Sequence, residues 1–120
     1  MQKARGKGKS ARREEAVYRA LADPTRRRIL ALLAEAPRSV GALAAEFPSI
    51  SRPAVSKHLA LLVEAGLAVA EAQGRERVYS LEPSPLSEVV SYVATLDAFW
   101  AERLGGLGAH LDRMAREEKA

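Results

Sequence analysis

SRPAVSKHLALLVEAG (51–66) followed by LAVAEAQGRERVYSL (67–81) is the stretch that decides the fold. At about 100° per residue, Val55, Leu59 and Leu62 fall in one narrow arc that should face a core. Pro53, Lys57, Ala60 and Glu64 point the opposite way. Ser51 suits a helix N-cap, Pro53 is tolerated in a first turn, and Gly66 suits the left-handed residue that ends a helix. Strands are expected over Leu67–Glu71 and Glu76–Leu81, around a turn at Gly74. A helix with small polar and basic groups on one side, backed by a ribbon with a basic tip, is shaped to lie against a polyanion. Duplex DNA is the expected partner.

Working outward, Asp23-Pro24 marks another helix start, with Asp as cap and Pro in the first helical position. That helix should run to about Glu35, with Ile29, Leu30 and Leu33 inward. Arg26, Arg27 and Arg28 lie in its first turns, against the preference of the helix dipole for acids there. Two readings stay open: an outside anion such as phosphate, or arginine stems that cover apolar surface. Pro37 closes the helix, and Ser39 can cap the next, from Val40 to about Phe47, before Pro48 and the turn at Ser49-Ile50. A preceding helix from about residue 13 to 22 should bury Val17, Ala20 and Leu21. Residues 1–12 are rich in Lys, Arg and Gly and read as a disordered basic arm, either a solvated tail or a DNA contact.

After Ser84-Pro85 the pattern is helical over 85–117. Leu86, Val90, Val93, Asp97, Trp100, Leu104, Leu107, Leu111 and Met114 alternate at spacings of four and three, a heptad seam with one polar position. Gly105, Gly106 and Gly108 lie off it, each costing about 1 kcal/mol in a helix relative to Ala. The fold class is therefore mainly α with a small β-hairpin wing. It is a single winged helix-turn-helix domain over 13–120, with a reading unit over 23–81 and pairing helices over 13–22 and 85–117.

Composition narrows the function classes. The chain has 120 residues, is 48% hydrophobic and contains no cysteine, which removes disulfides, thiolate metal ligation and a cysteine nucleophile together. No apolar run approaches the roughly 18 residues needed to span a bilayer, and the basic N-terminus lacks the apolar stretch of a secretory signal. A soluble cytoplasmic protein is expected. The formal charge of +4 is uneven. Residues 1–13 carry six basic groups and no acid, 23–80 carry a net +2, and 81–120 a net −3. The surplus sits in the leader and in the reading unit, as nucleic-acid binding requires.

A helix entering the major groove reads bases mainly through its N-terminal half. That makes Ser51, Arg52, Pro53, Ala54, Ser56 and Lys57 the candidate contacts, with Arg75 and Arg77 of the wing against phosphates or in the minor groove. Arg can grip guanine with two hydrogen bonds, whereas Ser is permissive. His58 could be a hydrogen-bonded structural residue or a phosphate ligand, and it is placed among the DNA contacts. Metal ligation there is disfavoured, because one turn away stand Ala54 and Leu62. No enzyme is expected. Ser51, Ser56 and His58 share one helix without an acid to orient the imidazole, and Gly105-Gly106-Leu107-Gly108 lies within an amphipathic pattern, not between a strand and a helix.

ADPTRRRIL (22–30), SRPAVSKHL (51–59), EAGL (64–67) and GRERVYSL (74–81) together resemble the ArsR/SmtB family of bacterial winged-helix repressors, over about Tyr18 to Leu111. The resemblance implies a homodimer joined through first and last helices, reading an inverted-repeat operator and released by a signal. It places Ser51, Arg52, Ser56, Lys57 and His58 at reading positions and Arg75 and Arg77 at wing positions. With the seam, it puts Val17, Leu21, Val93, Trp100, Leu104, Leu107 and Leu111 in the dimer interface. The family's metal sites do not carry over. Val40-Gly-Ala-Leu-Ala-Ala-Glu lacks the cysteines of one, and Asp97, Glu102, His110 and Asp112 do not reproduce the order of the other. FWAERL (99–104) resembles a branch without metal ligands, so no metal and no cofactor are expected, and the inducer is unspecified. The alternatives are a metal-responsive repressor with a non-cysteine site on the last helix, and a winged-helix module that binds protein.

Overall fold

The structure, a computed structural model, describes residues 2–104 and 113–117, with side chains over 11–101 and 113–117. The elements run α1 (Gln2–Leu21), α2 (Pro24–Glu35), β1 (Arg38–Ser39), α3 (Val40–Ala45), α4 (Arg52–Glu64), β2 (Ala68–Gln73), β3 (Glu76–Leu81) and α5 (Leu86–Leu104). The chain divides into two units, one ending at Leu86 and one beginning at Ser87. The mainly helical architecture with a small wing is the expected one.

Local chemistry starts and stops each helix of the first unit. Asp23, in an extended conformation, accepts N–H bonds from Thr25 at 2.7 Å and Arg26 at 3.3 Å, and Pro24 opens α2. Ser39 accepts from the Ala42 N–H and starts α3. Ser51 accepts from the Ala54 N–H at 3.2 Å and starts α4. That helix ends in a Schellman turn: Gly66 sits at φ +78, its N–H donates to the Val63 carbonyl, and the Leu67 N–H donates to the Leu62 carbonyl. Leu67, fully buried, supplies the apolar contact that accompanies this turn.

The core of this unit forms where the apolar arcs meet. Val55, Leu59 and Leu62 of α4, Ile29 of α2 and Leu43 of α3 are fully buried, joined by Leu30, Leu32 and Leu33 of α2 and by Tyr79 of β3. The hairpin closes through Gly74-Arg75, with Gly74 at φ +62, a conformation that an L side chain strains to reach. The sheet has three strands in the order β1-β3-β2, and β3 is antiparallel to both neighbours.

Several boundaries depart from the sequence reading. Helix α1 begins at Gln2, so the segment read as a disordered arm over 1–12 is drawn as helix. Its Gln, Ala, Lys and Arg are strong helix formers, and they outweigh the roughly 1 kcal/mol cost of each Gly. Helix α3 ends at Ala45, short of Phe47, because Glu46 and Phe47 tighten into a turn on the Leu43 and Ala44 carbonyls. Strand β1 was not expected: it is two residues long and pairs Arg38 with Tyr79 and Ser39 with Val78. Strand β2 runs from Ala68 to Gln73, shifted outward from the expected Leu67–Glu71, which lengthens the ribbon up to the turn.

In the second unit, α5 covers Leu86–Leu104, and 113–117 are helical. Along α5 no described residue is buried: Val90 is 66% exposed, Phe99 55% and Trp100 39%, with Tyr92 and Val93 also exposed. The Phe99 and Trp100 rings meet edge to face at 5.0 Å. Leu107, Leu111, His110, Asp112 and the glycines at 105, 106 and 108 lie outside the described residues, as do the side chains of Leu104 and Glu102. Among the described residues no helix is long and apolar enough to cross a membrane.

Asp23 gives the fold a pH signature. Desolvation pushes its carboxyl upward, but the Thr25 and Arg26 backbone N–H bonds and the Arg26 charge outweigh this and hold it below the ordinary value of 3.8. A depressed carboxylate contributes stability that is complete above the unfolded value and disappears as pH falls through the folded one. Asp23→Ala is thus expected to melt below the parent chain near neutral pH, with the gap closing as pH drops below 3.8. Thermal melts of both proteins across that range check this. A gap that ignores pH contradicts it.

Candidate nucleic-acid interface

The cationic side chains fall into two populations. Arg26, only 11% exposed at its side chain, donates from Nε to the Ala20 carbonyl and from Nη2 to the Arg19 carbonyl, both at 2.9 Å. Its Nη1 lies 3.8 Å from the Asp23 carboxylate and 3.2 Å from His58 Nδ1. Arg27 donates to the Leu21 carbonyl at 2.6 Å. Arg38 donates to the Leu32 carbonyl and pairs with Glu35. These arginines are committed inside the chain. Arg26 and Arg27 sit at the positive end of α2 because they serve the negative end of α1, whose last carbonyls have no helical partner. For these two that replaces both sequence readings, the outside anion and the covering stem.

Arg52, Lys57, Arg75 and Arg77 behave differently. All four are exposed, and none makes a hydrogen bond or ion pair with the described residues. Arg52 and Ser56 of α4, Arg75 and Arg77 of the wing, and Ser39, Val40 and Glu76 line one cleft of about 230 Å³. Side chains alternate along a strand, so Arg77 shares the face of the buried Tyr79. Ser39 is paired with Val78 on the far edge of β3, which brings the start of α3 to the same place. Three guanidiniums and one carboxylate thus surround an open cleft, a site for anions such as backbone phosphate.

The other expected contacts lie on the opposite flank of α4. Ala54, Lys57 and His58 line a shallow, mostly apolar groove of about 470 Å³ with Arg26, Ala60 and Leu61. Pro53 is exposed in the first turn, and the Ser51 hydroxyl oxygen is engaged as the cap. His58 is half-buried with an internal partner. Arginine can only donate, so Nδ1 accepts and the neutral ring carries its proton on Nε2. The structural role weighed for His58 is therefore present, and a DNA contact is left to its Nε2–H. Val17, expected at the dimer interface, is 1% exposed and belongs to the core of the chain, which leaves it no surface for a second copy. Leu21 is half-buried, while Val93 and Trp100 are exposed.

Ser39, Val40 and Glu76 were missed as site residues. The pairing that brings Ser39 and Val40 in joins residues 39 and 78 and leaves no local trace. Glu76 was read only as a neighbour of the wing arginines. Among the described residues, no group of three or more His, Cys, Asp or Glu is placed to hold a metal.

A family profile described as a helix-turn-helix domain matches residues 21–70. The chain is 42% identical over 101 residues to the HTH-type transcriptional regulator Rv2034 of Mycobacterium tuberculosis, covering 84% of this chain and 91% of that protein. It is 35% identical over 77 residues to the transcriptional repressor SdpR of Bacillus subtilis, covering 64% and 84% respectively. Among solved structures, an ArsR family transcriptional regulator matches with a TM-score of 0.71 at 32% identity, over 78% of this chain and 95% of that one. An ArsR-like transcriptional regulator from Rhodococcus sp. matches with a TM-score of 0.65 at 32% identity, over 88% and 95%.

The two arginine populations should respond differently to truncation. Arg52→Ala, Arg75→Ala and Arg77→Ala are each expected to bind duplex DNA more weakly with unchanged melting, and each lost phosphate contact lowers the salt slope by about 0.9. Arg27→Ala and Arg38→Ala should melt lower and keep the slope. Titrations at several salt concentrations, paired with melts, separate the two patterns; identical behaviour of all five contradicts the division.

Proposed function

The chain belongs to the ArsR family of winged helix-turn-helix transcriptional regulators, and on that premise we propose that it acts as a homodimeric repressor reading an inverted-repeat operator. The family is one of DNA-binding regulators, not of enzymes. The observation that carries the reading is the cleft in which the unpaired Arg52, Arg75 and Arg77 converge beside the first turn of α4. Phosphate contacts from the wing and Lys57 fix register on the duplex, and Arg52, with Ser56 beside it, reads base edges in the major groove. Ser51, Pro53 and Ala54 complete the leading turn, with the His58 Nε2–H as a further donor to phosphate.

The dimer rests on α5. Val90, Val93, Phe99 and Trp100 leave apolar surface in water on one helix, a pattern that a second copy relieves. Leu104, Leu107 and Leu111 continue the same seam by their spacing. Pairing two chains sets their reading helices about 34 Å apart, one duplex turn, and anything that alters this separation weakens both half-sites at once. Such a protein works in the cytoplasm, where bound operator excludes the transcription machinery. SdpR carries the name of a repressor, which supports that direction of control.

Selection of bound fragments from genomic DNA, with the mass of the protein measured in solution, tests this. Enrichment of inverted repeats with half-sites one turn apart, bound by a dimer, is the expected result. Equal retention of random and genomic fragments, or a monomer at working concentration, contradicts it. Val93→Glu is expected to shift the chain to monomer and to lower affinity for the selected operator roughly 10²-fold, because the half-sites lose their coupling. Sedimentation and a titration on that operator check both effects.

A further inference from the structure

Gly41 lies in the first turn of α3, where the backbone gives no reason for glycine. Gly66 and Gly74 are the described glycines with positive φ; Gly41 is not one of them. Glycine also weakens a helix relative to alanine, so the missing side chain calls for another explanation. One lies directly above it. A Cβ built on Gly41 would stand 3.7 Å from Arg52 Nη1, 3.9 Å from Arg52 Nη2 and 3.9 Å from Ser39 Oγ.

The guanidinium therefore rests on the bare Cα of Gly41. No charge holds it there: Arg52 has no hydrogen bond or ion pair with the described residues, and the first turn of a helix repels cations. What sets its direction is shape, with the floor at Gly41, a wall from Ser39 and Val40, and the wing arginines across the cleft. A methyl group at 3.7–3.9 Å makes ordinary van der Waals contact and can be accommodated. Any longer side chain has its next carbons where the guanidinium now lies.

We propose that Gly41 is a positioning residue for Arg52, keeping open the floor on which the guanidinium fork is aimed into the major groove, and so helps to set which bases the reading helix selects. This rests on the reading above in which Arg52 touches base edges. The two can fail separately.

The test uses the full-length chain with Gly41→Ala, Gly41→Leu, Gly41→Gln, Arg52→Ala and the double variant Gly41→Leu/Arg52→Ala. Melting is measured for each, with affinity for the selected operator and for random duplex of the same length. Gly41→Ala should bind like the parent and melt at the same or higher temperature. Gly41→Leu and Gly41→Gln should lose roughly tenfold in operator affinity, about one good base contact, and little on random duplex. The double variant should bind like Arg52→Ala alone, since both changes remove the same contact. Gly41→Gln, an exposed helix former, carries the comparison if the leucine variant fails to fold.

Parent-like discrimination by the long-chain Gly41 variants, with Arg52→Ala impaired, overturns the positioning role and leaves the reading helix intact. Independent, multiplying losses in the double variant overturn it equally. If Arg52→Ala itself discriminates like the parent, the base-reading role of Arg52 falls first and that of Gly41 with it.

Discussion

Everything in the first unit depends on the complete burial of one face of α4. Val55, Leu59 and Leu62 leave no surface to water, so the rotation of this helix about its axis is fixed. A turn of about 100° moves each side chain by one residue position, and any such turn would take Leu59 out of the core. With rotation fixed, Arg52 and Ser56 must lie on the wing side, and Ala54, Lys57 and His58 on the α2 side. Fixed rotation also decides where the chain can meet a duplex, because it aims the N-terminal turn outward.

The arginines then divide by what is left for them to bond. Arg26 and Arg27 meet α1 carbonyls, which lack partners at the helix end, and Arg38 does the same for Leu32 of α2. Such charge-assisted bonds tie one helix to the next in sequence, and the imidazole of His58 attaches α4 to the same guanidinium. Arg52, Arg75 and Arg77 find no such partners among the described residues and surround open space. The net charge of the reading unit conceals this, since a committed guanidinium and an open one count alike. For a polyanionic partner, only the second kind has donors to offer.

Much of this was legible in the sequence wherever a signal is local. Asp23, Ser39 and Ser51 each cap the helix they precede, and Gly66 ends α4, because capping needs a particular side chain or φ within three or four residues. The apolar arc of α4 was equally plain. What escaped was set by distant partners. Strand β1 exists only through Tyr79 and Val78, forty residues away, and two residues show no alternation to read. Arg26–Arg28 were weighed against the dipole of their own helix, whereas the carbonyls that two of them serve belong to the helix before. Val17 was given to the dimer seam because its apolar spacing looks the same whether it faces the core or a second chain; burial settles it as core.

The central claim is that two reading helices approach the duplex together, each led by an open arginine cluster. Chemical protection of guanine N7 on a bound, selected operator fragment tests it most directly. Two protected patches on one face of the duplex, separated by about one turn, with both lost in Arg52→Ala, are what the account predicts. A single patch, or guanines equally reactive with and without protein on a fragment that is demonstrably bound, would contradict it.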